Sequence, residues 1–121
     1  MGKRIVLVED EPNIIEAISF ILSREGWEVT ACANGETAAA TVRKAQPDVV
    51  LLDVMLPGRS GYEILKDLRA DPDFSQLPVL MLTARGQRKD RELAAALGVT
   101  RFMTKPFANA ELVAALAELA G

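Results

Sequence analysis

The sequence contains no histidine. That excludes imidazole acid/base catalysis, imidazole metal ligands and a phosphohistidine on this chain. Cysteine occurs once, at Cys32, which excludes an internal disulfide and any cysteine-cluster metal site. Its apolar neighbours predict a core or half-buried thiol. Aromatic residues make up only 5% of a chain that is half hydrophobic, so the core must come mainly from Val, Ile, Leu, Ala and Met. An excess of positive charge is also missing. The net charge of −3 argues against general binding to nucleic acid or anionic membrane. No apolar run approaches the roughly 20 residues that span a bilayer, and Met1 to Arg4 lead straight into a strand-like run rather than a signal peptide. A soluble cytoplasmic protein is the expectation. Neither GxGxxG nor GxxxxGK[ST] occurs, which argues against a nucleotide site.

The 121 residues show one run of composition, without repeat, low-complexity tract or linker, and predict one domain over 1–121. Lys3 to Val8 is a short β-branched run stopped by Glu9-Asp10-Glu11, and Pro12 is placed to open a helix. Ile14, Ile15, Ile18, Ile21 and Leu22 recur at helical spacing, and Gly26 ends that helix. A strand is predicted at 27–32, a turn at Asn34-Gly35 and a helix at 36–45. Asp48 to Asp53 is an apolar strand between acids, followed by a loop to Gly61 and a helix at 62–69. Further strands are predicted at 78–83 and 101–104, with helices at 85–97 and 109–120. The strand interiors are continuously apolar, as in a parallel sheet covered on both faces. With right-handed crossovers this is an α/β, doubly wound (βα)5 fold, a five-stranded parallel sheet in order 2-1-3-4-5.

In such a sheet, ligands bind beyond the carboxyl ends of the strands where the strand order reverses, here between strands 1 and 3. Glu9 and Asp10 follow strand 1, Asp53 ends strand 3, Thr83 ends strand 4 and Lys105 follows strand 5. Singly, each has an ordinary structural reading: solvated loop acids, helix caps, a strand threonine. Jointly they converge on one sheet edge. Crowded carboxylates repel, and a divalent cation relieves the repulsion. An all-oxygen set favours Mg²⁺, with Mn²⁺ possible, over zinc or copper. A carboxylate beside Mg²⁺ and a lysine is equipped to take a phosphoryl group itself, giving an aspartyl phosphate to which a threonine hydroxyl can hydrogen-bond.

The ordered set Val8-Glu9-Asp10-Glu11-Pro12, Leu51 to Pro57 with Gly61, Leu82-Thr83-Ala84-Arg85 and Lys105-Pro106-Phe107 resembles the receiver domain of bacterial two-component response regulators, over essentially the whole chain. The resemblance implies a chemotaxis-regulator-like fold and a signalling domain rather than an enzyme. It implies Asp53 as phosphoacceptor, with Asp10, Asp53 and the Met55 main-chain carbonyl on Mg²⁺ and Glu9 acting through metal-bound water. Lys105 would contact the phosphoryl group, the Lys105-Pro106 bond would be cis, and Thr83 and Phe102 would form a switch pair moving the surface of helix 4, strand 5 and helix 5. The implied partners are a sensor histidine kinase or a histidine phosphotransfer protein upstream, and a protein target or an output domain outside this segment downstream.

Arg101 before Phe102, and a last helix without Lys or Arg, depart from the winged-helix transcription-factor branch of the family and its salt-bridged dimer. Met55 and Arg85 occupy positions that tune acyl-phosphate lifetime in the family. Two other classes fit less well. A flavin or nucleotide domain of this topology needs a Ser/Thr/Gly-rich loop where Glu9-Asp10-Glu11-Pro12 stands. A haloacid-dehalogenase-type phosphohydrolase needs an acid where Met55 stands.

Overall fold

The computed structural model describes residues 3–84 and 88–121. Five strands, β1 (Lys3–Val8), β2 (Trp27–Cys32), β3 (Val49–Asp53), β4 (Val79–Thr83) and β5 (Arg101–Thr104), alternate with five helices, α1 (Pro12–Arg24), α2 (Ala38–Ala45), α3 (Gly61–Ala70), α4 (Arg88–Ala96) and α5 (Asn109–Ala120). The strands are parallel, in the order β2-β1-β3-β4-β5. The expected doubly wound α/β fold is what forms.

Alternate side chains along the inner strands feed two separate cores, which is why residues 5–8, 49–52 and 79–82 carry no polar position. Val6, Val8, Val50, Leu52, Val79 and Met81 pack with Val42 of α2 and Ile64, Leu65 and Leu68 of α3. Ile5, Leu7, Val49, Leu51, Leu80 and Leu82 pack on the other face with Ile18 and Leu22 of α1 and Leu112 and Leu116 of α5. The polar residues that end these strands therefore all emerge at one rim.

Two local readings change, and a third falls outside the described residues. The helix expected over 36–45 begins with a 3-10 turn (Gly35–Thr37), because the Asn34 side chain accepts from the Glu36 amide at 2.7 Å and tightens the chain before α2. Asp48 stands just outside β3. Its backbone N–H reaches the Arg4 carbonyl at 2.8 Å, and its Oδ2 accepts from the Arg4 amide at 2.8 Å. The fourth helix is seen from Arg88. Arg85, Gly86 and Gln87, which the sequence reading put at its start and at the lifetime-tuning position, lie outside the described residues. No helix of the described residues is long and apolar enough to cross a membrane.

Candidate functional site

The loop after β1 carries Glu9 and Asp10 to the rim. Glu9 is buried, only 2% exposed, while Asp10 faces solvent. Two backbone N–H groups aim at Glu9: those of Asp10 and Glu11 donate to its Oε2 at 3.0 and 3.2 Å. The main chain of Glu9 is itself pinned, its N–H donating to the Cys32 carbonyl at 3.0 Å. Asp53, the last residue of β3, is buried at 6% exposure, and its Oδ1 stands 3.4 Å from the Met55 amide.

Lys105 closes the group from the far side of the sheet. Its N–H donates to the Thr83 carbonyl at 2.8 Å, which extends the β4–β5 ladder by one bond. Its ammonium lies 3.1 Å from Asp53 Oδ2 and 3.3 Å from Glu9 Oε1. Two acids that lie 96 and 52 positions from Lys105 in the chain thus share its charge. The following Lys105-Pro106 peptide bond is cis. Thr83 is buried at the end of β4, 3% exposed. One carboxylate oxygen each from Glu9, Asp10 and Asp53 lies within 4.8 Å of the other two.

Burial is the main reason the Glu9 carboxyl holds its proton to higher pH than an ordinary carboxyl. The hydrogen bond from the Glu11 amide opposes that shift in part, and the charge of Asp53 adds to it. Burial alone would lower the Lys105 pKa, but the charges of Asp53 and then Glu9 outweigh it, and the ammonium is held above its usual range. It stays charged at neutral pH. Three carboxylates against one ammonium leave an excess of negative charge among hard oxygen donors, which suits a small divalent cation. The acids crowded to within 4.8 Å, with Asp53 and Glu9 already bridged by an ammonium, fit such an ion.

Met55 is 72% exposed beside this cluster. Phe102, further along β5, is half-buried against the α2–α3 core, and the Arg91 guanidinium of α4 lies 5.3 Å from its ring centre. Arg101 pairs within the chain with Glu118 of α5 at 3.2 Å. The sequence marks the Asn34-Gly35 pair only as a turn. In the structure it packs against the β3–α3 loop, where the Gly35 N–H donates to the Pro57 carbonyl at 3.0 Å. Nothing in the local pattern of either loop announces that contact.

Fold and rim together define a doubly wound α/β domain with an acidic, lysine-bridged site at its switch point. The family model described as "Response regulator receiver domain" matches residues 5–117, and the chain belongs to that family, the receiver domains of two-component systems. Three solved structures show the likeness. One is the receiver domain of a sensor histidine kinase from Pseudomonas aeruginosa PAO1 with a magnesium ion coordinated in its active-site cleft. It is 33% identical, with 100% of this chain and 99% of that one covered and a TM-score of 0.91. The chemotaxis response regulator CheY4 of Vibrio cholerae is 30% identical over 98% and 99% of the two chains, TM-score 0.92. The BeF3-activated N-terminal receiver domain of Klebsiella pneumoniae RstA is 31% identical over 97% of each, TM-score 0.91.

Proposed function

We propose that this chain is a phosphorylation-activated signalling receiver whose phosphoacceptor is Asp53. The observation that carries the reading is the Lys105 ammonium lodged between Asp53 and Glu9, within a cluster of three mutually close carboxylates. Asp10, Asp53 and the Met55 main-chain carbonyl would hold Mg²⁺, with Glu9 acting through its water. When bound, the cation would neutralise charge on the transferring phosphoryl oxygens. An Asp53 carboxylate oxygen attacks phosphorus in line. The phosphorus–nitrogen bond of a phosphohistidine breaks, its electron pair stays on the donor imidazole, and a mixed anhydride forms on Asp53. Lys105 trades its contact with Asp53 Oδ2 for a phosphoryl oxygen, and the Thr83 hydroxyl donates to another.

The donor is a histidine kinase or a histidine phosphotransfer protein. The magnesium-bearing kinase receiver from Pseudomonas aeruginosa supports both the cation and this class of partner. Phe102 would follow Thr83 and move the surface of α4, β5 and α5 that a downstream protein or an output domain reads. Met55 is apolar and cannot align an attacking water by a strong hydrogen bond, so hydrolysis of the acyl phosphate proceeds without special assistance from that position.

Incubation with Mg²⁺ and acetyl phosphate, followed by intact mass, tests the reading. A single phosphoryl adduct is expected, lost in Asp53→Asn and on chelation of Mg²⁺. Absence of the adduct from the wild type at saturating donor would refute it.

A further inference from the structure

We propose that Gly35, at the turn between β2 and α2, is a positioning residue for the cation site, and that it sets the place of the loop bearing the Met55 carbonyl. The inference rests on the assignment of Glu9, Asp10, Asp53 and Met55 as the cation's ligands.

The β3–α3 loop is held at both ends. The Val54 N–H donates to the Leu82 carbonyl at 3.1 Å, and the Gly61 N–H returns to the Val54 carbonyl at 2.8 Å. At its far end Ser60 caps α3. Between these points the loop leans on the β2–α2 turn. Gly35 is buried, and its N–H is bonded to the Pro57 carbonyl. A Cβ built on Gly35 would collide with the Arg59 carbonyl oxygen, and it would also stand 2.9 Å from the Arg59 carbonyl carbon. These are backbone atoms, so no side chain can swing aside to relieve the overlap. The contact is closed from the other direction at Gly58, where an added Cβ would lie 2.7 Å from both Asn34 Oδ1 and Glu36 Cγ.

The turn is equally tied to the other half of the site. The Cys32 carbonyl takes the Glu9 N–H at 3.0 Å, and the Cys32 thiol reaches the Asn34 carbonyl at 3.2 Å. The same short segment therefore touches the loop carrying Glu9 and Asp10 and braces the loop carrying Met55. A methyl group at Gly35 can be housed only by widening the gap between the turn and the β3–α3 loop. That moves Met55 relative to the two acids without touching any of them. Outer contacts that orient metal ligands commonly matter to affinity by about tenfold or more.

The test is calorimetric titration of the purified chain with Mg²⁺ alone. Gly35→Ala should raise the dissociation constant about tenfold. Ile18→Val, in α1 on the opposite face of the sheet, should lower the melting temperature and leave the constant unchanged. Should Gly35→Ala fail to fold, Asn34→Ala replaces it. Asn34 is exposed, and its loss removes the bond to the Glu36 amide that tightens the turn. A smaller increase in the same direction is expected there. Wild-type affinity in the folded Gly35 variant, or in the Asn34 variant when it stands in, overturns the proposal. So does an equal loss of affinity in Ile18→Val, which would mark the effect as general destabilisation. If the wild type takes up no Mg²⁺, the ligand assignment fails and the proposal falls with it. A wild type that binds beside a Gly35 variant that binds equally well removes this inference alone.

Discussion

Glu9 occupies the most costly position of the candidate site. Its carboxyl is nearly out of water and faces Asp53, with Lys105 and two amides as compensation. A carboxyl whose pKa is higher folded than unfolded destabilises the fold once it ionises. Below the ordinary carboxylate range both states are protonated, and Glu9 contributes nothing. As pH rises through the ordinary value toward the raised one, the unfolded state loses its proton first and stability falls. Above that window the full cost remains. Glu9→Gln keeps an acceptor for the two amides and discards the charge. We expect the metal-free variant to be more stable than the wild type at neutral pH by about 1 kcal/mol, the usual scale of a single-site change. The difference should vanish in acid, as urea denaturation across pH will show. A variant less stable than the wild type at neutral pH would contradict the crowding of charge inferred for this site. Phe102 offers a second residue-scale lesson. Its aromatic character and place before the last loop are visible in the sequence, but the guanidinium of Arg91 over its ring is not. Such a contact is worth about 0.5–1 kcal/mol at an exposed site.

Among the elements, α3 is the one whose start bears most directly on Asp53. Gly61 opens it so close to the Asp53 carbonyl that no Cβ fits between them. Ser60 caps it, accepting from the Glu63 amide at 3.3 Å while the Glu63 side chain accepts from the Ser60 amide at 3.2 Å. Ser60→Ala should cost about 1 kcal/mol, measured as a fall in the urea midpoint with an unchanged slope. An unchanged midpoint would mean that the cap is redundant with the packing of Gly61. Pro12 marks the start of α1 in the sequence, whereas α3, expected from residue 62, begins one residue earlier behind a Ser60–Glu63 box that was not anticipated from the sequence. The 3-10 turn before α2 is not legible there either, because it depends on which way the Asn34 side chain points. Nor is the pairing of Arg101 with Glu118, two residues of separate elements that meet only once α5 lies against β5.

For the whole molecule, the sheet separates two cores that share its strands. Leu52 lies on the α2–α3 side, and Trp27 lies on the α1–α5 side. Leu52→Ala should cost about 3 kcal/mol through lost burial and a residual cavity. Because both cores use the same strands, the loss should appear as one transition. Near-ultraviolet circular dichroism of Trp27, on the opposite face, should shift its midpoint together with the far-ultraviolet signal. Two separated midpoints would show that the faces unfold independently.

Periodicity and charge placement are local properties. The sequence by itself therefore determined the alternation of strands and helices, the burial of the strands on both faces, and the emergence of Glu9, Asp10, Asp53, Thr83 and Lys105 where strands end. The handedness of crossovers led to a doubly wound sheet, and the order 2-1-3-4-5 expected for it is the order that forms. Distances between elements depend on how side chains interlock across the sheet, and no window of sequence contains that. Only the tertiary structure decided that one ammonium lies between Asp53 and Glu9, that Arg91 covers Phe102, and that a buried glycine 18 residues before Asp53 in the chain braces the loop beyond it.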